Sequence, residues 1–132
     1  DYRVDAVAGQ KIKKTGEHLS LELVRNPDIL AGVAALEPRP FVVGFAAETE
    51  HLLAHARDKL ARKGLDLIAA NAVGEGLGFD TEDNALELLW PDGQRSLPRA
   101  SKTQLARELV TVIADRLDAT HGKVVPLRHA SP

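Results

Sequence analysis

Two short apolar runs joined through a helix-patterned stretch constrain this chain more than any other feature. Phe41-Val42-Val43-Gly44-Phe45 lies between Pro40 and the polar pair Glu48-Thr49 and carries no polar side chain. Such a run predicts a central strand covered on both faces. Leu52, Leu53, Ala56 and Leu60 then recur at helical spacing, Arg57, Asp58 and Lys59 mark the wetter side, and Gly64 supplies a C-terminal stop. Leu65 to Ala70 reads as the next strand. Apolar strands separated by a helix predict right-handed crossovers and parallel pairing. The expected fold is therefore α/β: an open, Rossmann-like, mainly parallel sheet with helices on both faces.

The flanking segments add to that frame. From Leu19 to Leu23 apolar residues alternate with Ser20 and Glu22, the period of a half-buried strand. Asn26 as a cap, Pro27 at the first helical position and Asp28 in the first turn predict a helix running to about Leu36. Gly74 to Asn84 is rich in glycine and acid and predicts a loop. Leu86, Leu88 and Trp90 alternate, Asp92-Gly93 suits a tight turn and Arg95 to Leu97 returns, so a β-hairpin is added to the sheet. Ser101 with Gln104 resembles a capping box, and Leu105, Leu109, Val112, Ile113 and Leu117 give the final helix one apolar face. Residues 1 to 120 are expected to form the domain and 121 to 132 a tail.

Composition excludes several function classes. The chain has 132 residues, of which 44% are hydrophobic and 27% charged, enough for one real core. A net charge of -2 with dispersed cations gives no polycationic face for a nucleic acid, so a bound nucleotide should be a small one. No apolar run approaches the ~18 residues of a membrane span, and no leader-like segment opens the chain; a cytoplasmic location fits. With no cysteine in the sequence, any cysteine in the chemistry has to arrive as a substrate.

Several groups of residues are candidates for chemistry. Lys11-Ile12-Lys13-Lys14 concentrates cations, although charge runs are usually solvated. Lys59 and Lys63 stand one helical turn apart, share a face and can grip one phosphate chain. In a simple crossover unit, however, the end of their helix lies far from the ligand edge of the sheet. The turn Asn26 to Leu30 offers free N–H groups to a polar ligand, and the anionic Asp28 favours contact with a base or ribose over a phosphate. Phe45 ends its strand where open sheets place ligands, or else is a core aromatic. His51 and His55 have metal-compatible spacing but no third ligand in their motif, and Gly74 to Phe79 lacks dinucleotide-fingerprint spacing.

Taken in order, Asp1-Tyr2-Arg3, Lys11-Ile12-Lys13-Lys14, Asn26-Pro27-Asp28-Ile29 and Phe41 to Thr49 form the first half of a motif series. Lys59-Leu60-Ala61-Arg62-Lys63, Leu65 to Asn71 and Asp83-Asn84-Ala85 complete it. Over residues 1 to 117 the series resembles the ligase part of bacterial bifunctional phosphopantothenoylcysteine decarboxylase/phosphopantothenate-cysteine ligase, an enzyme of coenzyme A biosynthesis. The resemblance implies condensation of 4'-phosphopantothenate with cysteine, driven by CTP with Mg2+, through an acyl-cytidylate. It implies Lys11 as the catalytic lysine and CTP contacts at Asp1, Lys11, Pro27, Asp28, Ile29, Leu30, Phe45, Lys59 and Lys63. It also implies a flap containing Lys13, Lys14 and Gly16, and a homodimer, for which the Leu19 to Leu23 strand and the Leu86 to Leu97 hairpin offer apolar faces and edges that can pair across a two-fold axis.

Asn71 matches a family asparagine, whereas Ala72 stands where aspartate is common. The family pattern opens with a Gly-rich turn, and an FMN-dependent decarboxylase precedes it; neither is in this sequence, which has no methionine. The expected chain is thus the C-terminal part of a larger ligase domain. An ATP-using ligase, or a nucleotide-binding or dimerisation module without complete catalysis, are the alternatives.

Overall fold

The computed structural model describes residues 1–13, 16–74 and 82–121. Its elements are β1 (Tyr2–Val4), β2 (Leu23–Arg25), α1 (Ile29–Ala34), β3 (Val43–Glu48), α2 (Leu52–Lys63), β4 (Leu67–Ala72), β5 (Asp83–Trp90), β6 (Gly93–Ser101) and α3 (Lys102–His121). A four-stranded sheet has the order β3, β4, β5, β6, and β1 and β2 form a separate antiparallel ribbon. The α/β Rossmann-like expectation holds. The sheet is mixed rather than mainly parallel: β3 and β4 run parallel, while β4 with β5 and β5 with β6 are antiparallel.

Alternation along β4 explains the layering. Ile68 and Ala70 face one side, where Val42, Ala46, Ala56, Leu60, Leu65 and Leu89 make a core with Leu30 and Val33 of α1 against it. Leu67 and Ala69 face the other side, where Leu88, Leu97, Leu105, Leu109 and Val112 form the second core beneath α3. Helices therefore cover both faces. Gly44 is dictated by this packing, because a Cβ there would sit 2.6 Å from Leu65 Cδ1 and 3.2 Å from Leu30 Cδ2. Just before β3 and β4, Asp66 accepts from Val42 N at 2.7 Å and pairs with Arg39, which also donates to Gly64 O at 2.9 Å.

Several sequence expectations need correction. β3 is an edge strand of the described sheet, not a central one, because a continuous apolar run reports coverage of the faces and not position in the strand order. The alternation at Leu19 to Leu23 produces pairing only from Leu23 onward, and Leu19, Leu21 and Leu23 are all exposed. α1 is capped by Asp28, not Asn26, and ends at Ala34. The side chain of Asn26 instead accepts from Arg3 Nη1 at 3.3 Å. In the hairpin, Trp90 pairs with Gly93, so Pro91 and Asp92 form the turn. Gly93 is needed beside that turn, since a Cβ would lie 2.7 Å from Trp90 Nε1. Ser101 Oγ accepts from Gln104 N at 3.3 Å, but Gln104 donates to Glu108 and leaves the capping box half formed. Most of the predicted loop between Gly74 and Asn84, together with the tail from residue 122, lies outside the described residues.

Candidate functional site

A cavity of about 420 Å3 opens between the β1 and β2 ribbon, the start of α1 and the last turns of α2. It gathers Asp1, Pro27, Asp28, Ile29, Lys59 and Lys63 from the sequence-predicted set, and adds Tyr2, Arg25, Asn26 and Arg62. Four cationic side chains, Arg25, Lys59, Arg62 and Lys63, thus face the same space as the carboxylates of Asp1 and Asp28. The added arginines had a sequence signal: Arg62 lies inside the Lys59 to Lys63 run, and Arg25 directly precedes Asn26.

Both lysines are anchored. Lys63 Nζ lies 2.9 Å from Asp28 Oδ2, while Asp28 Oδ1 accepts from Ala31 N at 3.1 Å. The Ala31 N–H, and after it Lys63, holds the Asp28 carboxyl below its ordinary range, so it is anionic at neutral pH. Lys59 pairs with Glu48 Oε1 at the C-terminal end of β3, and His55 Nδ1 lies 3.2 Å from Glu48 Oε2. Lys59 is the largest cause that lowers the Glu48 pKa, and His55 adds to it.

These pairs answer the crossover geometry. Helical side chains tilt toward the helix N-terminus, which lets Lys59 reach back from the middle of α2 to the strand end. Lys63, one turn further on, meets Asp28 across the cavity. The resulting site is cationic on one wall, polar on the other, and of the size of a small-molecule pocket. It suits an anion attached to a polar group.

Other predicted residues are not brought to this cavity. Lys11, Lys13 and Gly16 are exposed and outside its lining, and Lys14 lies outside the described residues. Phe45 is 69% exposed, so it is not a core aromatic, and it is not in the cavity lining. Its neighbours at alternate positions, Phe41 and Val43, pack on the α3 side, opposite the face that carries Val42 and Ala46. Leu30 faces the core under α1, which leaves only its backbone for a ligand. α1 is also too short to act as an anion site, and the N–H of Ala31 is already taken by Asp28. His51 and His55 meet edge to face with ring centroids 6.0 Å apart, and among the described residues no cluster of three or more metal-ligating side chains occurs. Asn71 and Ala72 end β4, and the Asn71 side chain donates to the Ala72 carbonyl at 3.5 Å.

The chain is 50% identical over 121 residues to the coenzyme A biosynthesis bifunctional protein CoaBC of Haemophilus influenzae, covering 91% of this chain and 30% of that protein. Identity to the corresponding Vibrio cholerae protein is 53% over 121 residues, covering 89% and 30%. The chain thus spans less than a third of the length of these relatives. Among solved structures, the C-terminal domain of a coenzyme A biosynthesis bifunctional protein CoaBC superposes with a TM-score of 0.68 at 30% identity, covering 90% of this chain and 50% of that one. The model of the DNA/pantothenate metabolism flavoprotein C-terminal domain matches residues 1–117, and the chain belongs to that family.

Proposed function

We propose that this chain is the CTP-binding, C-terminal part of a phosphopantothenate-cysteine ligase acting in coenzyme A biosynthesis. The observation that carries the reading is the convergence of Asp1, Pro27, Asp28, Ile29, Lys59 and Lys63 on one cavity, with both lysines anchored. Six residues that the resemblance assigns to CTP come from three separate parts of the sequence, yet they share one space.

In this reaction the carboxylate of 4'-phosphopantothenate attacks the α-phosphate of CTP, and pyrophosphate leaves. The cysteine amine then attacks the acyl carbon of the acyl-cytidylate, the amide forms, and CMP departs. The first step brings two anions together, so the protein's contribution is mainly charge neutralisation and positioning. Lys59 and Lys63 grip the phosphate chain, with Arg25 and Arg62 adding positive potential. The turn from Pro27 to Leu30 reads the ribose or base, and Asp1 closes the polar wall. Phe45 is assigned to the cytosine by the resemblance alone, since it stands exposed outside the cavity lining. Mg2+ enters with the triphosphate, as is usual for nucleotide sites. FMN belongs to the decarboxylase part of the bifunctional enzyme.

Lys11, with Lys13, Lys14 and Gly16 on the flap, closes over the acyl-cytidylate and stabilises charge on the departing phosphate. The Lys11→Gln enzyme is therefore expected to form acyl-cytidylate at a normal rate and to pass it to cysteine about 100-fold more slowly or worse, a loss typical of one electrostatic donor. Separate assays of pyrophosphate and CMP release check this. Normal cysteine coupling would remove Lys11 from the mechanism.

The enzyme is a homodimer in this reading, and the exposed Leu19, Leu21, Leu23 and Tyr2 on and beside the ribbon are the apolar surface that pairs. The hairpin contributes less, because Leu88, Leu89 and Leu97 are already buried within the chain. Sedimentation at micromolar concentration is expected to give a dimer, and a monomer would contradict the assignment. A cytoplasmic location accompanies this function; no helix among the described residues is long and apolar enough to cross a membrane.

A second reading, a nucleotide-binding or dimerisation module without complete catalysis, is favoured by one observation: Lys11 and Phe45 stand outside the cavity lining. A third, an ATP-using ligase, differs only in the base that the site selects.

A further inference from the structure

Three of the cations that line the cavity, Lys59, Arg62 and Lys63, come from α2, and they differ in what holds them. Lys63 faces Asp28, a carboxylate of the cavity itself, and Lys59 faces Glu48, whose side chain is mostly withdrawn from water at the end of β3. Arg62 is held otherwise. Its Nε lies 3.3 Å from Oδ2 of Asp58, one helical turn back, and the two side chains stand in solvent, 62% and 69% exposed. Asp58 is not part of the cavity lining; it faces a neighbouring hollow with Arg39, Arg57 and Ala61.

These differences decide which charge is easiest to recruit. A lysine that moves onto a ligand leaves its carboxylate behind: Asp28 would stand in the cavity beside the incoming anion, and Glu48 where little water reaches it. An exposed i, i+4 pair contributes little, because water and salt already screen it, so Arg62 leaves Asp58 at low cost. The contact with Asp58 engages Nε, and a guanidinium carries further donors in a fork that matches phosphate oxygens. At positions three and four residues after Lys59, Arg62 and Lys63 adjoin it on the helix surface, within reach of one phosphate chain.

We propose that Arg62 is a direct phosphate ligand of this cavity, and that Asp58 moderates binding by competing for its guanidinium. As a phosphate chain enters, Arg62 leaves Asp58 and closes on the ligand beside Lys59 and Lys63. The inference rests on reading the cavity as a polyphosphate site. No covalent bond and no protonation state changes.

The test is calorimetric titration of inorganic tripolyphosphate into the 132-residue chain at one fixed, low salt concentration, since exposed charges are screened as salt rises. Arg62→Gln is expected to weaken binding about 10-fold. Arg62→Lys, which keeps the charge and loses the fork, should weaken it by less. Asp58→Asn is expected to tighten binding about 2- to 5-fold. In the Arg62→Gln background that gain should vanish, because the group for which Asp58 competes is gone. All variants should keep the wild-type urea midpoint, as both side chains are exposed. Wild-type affinity in Arg62→Gln, no gain in Asp58→Asn, a gain that persists without Arg62, or no binding of tripolyphosphate overturns the proposal. Selectivity for CTP over ATP is a separate readout: its absence with the tripolyphosphate pattern intact removes the ligase reading alone, and its presence without that pattern removes the role of Arg62 alone.

Discussion

Replacing Lys59 and Lys63 together with alanine is expected to weaken CTP binding by more than about 100-fold, since a hydrogen bond to a charged group contributes roughly 1.5–3 kcal/mol and each 1.4 kcal/mol is a factor of ten. Each single substitution should cost about 10- to 100-fold on the same arithmetic. The two losses will not simply add, because both ammoniums act on one ligand. Two further effects push in the same direction. Without Lys63, Asp28 is left in the cavity without its lysine partner, and without Lys59 the Glu48 carboxylate behind it keeps only its contact with His55 among the described ion pairs. The lysine side chains are 35% and 24% exposed, so the fold should tolerate their removal, which urea titration of the variants checks. Unchanged CTP affinity in the double variant would assign both residues to an ordinary solvated helix face.

The largest stability loss is expected for Leu67→Ala. Leu67 is fully buried on the α3 side of β4, in the core with Leu88, Leu97, Leu105 and Leu109. Truncating it removes apolar burial and leaves a cavity that the rigid strand pairing on both sides of β4 cannot close. The cost should be about 2–5 kcal/mol, as for other buried leucines. Urea unfolding monitored at Trp90 reads it as a lower midpoint with an unchanged slope. Val110, 64% exposed on α3, provides the contrast: Val110→Ala should stay within about 0.5 kcal/mol of wild type. A loss below 1 kcal/mol at Leu67 would mean that this core is not packed as described.

How far the sequence could be read depended on whether a signal was local. α2 and its stop were legible because helical periodicity and a left-handed glycine are local: the helix runs Leu52–Lys63 and Gly64 caps it at φ 64°. The β3 and β4 crossover was legible for the same reason. The edge position of β3 was not, because strand order depends on partners elsewhere in the chain. The cap of α1 was ambiguous for a chemical reason. Asn26 and Asp28 flank Pro27 and both can cap; the carboxylate of Asp28 reaches Ala31 N, while Asn26 is engaged by Arg3. At the site, motif order pointed to Asp28, Lys59 and Lys63 as separate contacts. That Asp28 holds Lys63 across 35 residues, and that Glu48 holds Lys59, became visible only through the packing of α1 and β3 against α2.

The proposed CTP site is tested by calorimetric titration of CTP with Mg2+ into the 132-residue protein, with ATP as control. Saturable binding of CTP in preference to ATP, abolished by the double lysine substitution, is expected. Equal affinity for the two nucleotides, or CTP binding that survives loss of both Lys59 and Lys63, would contradict it.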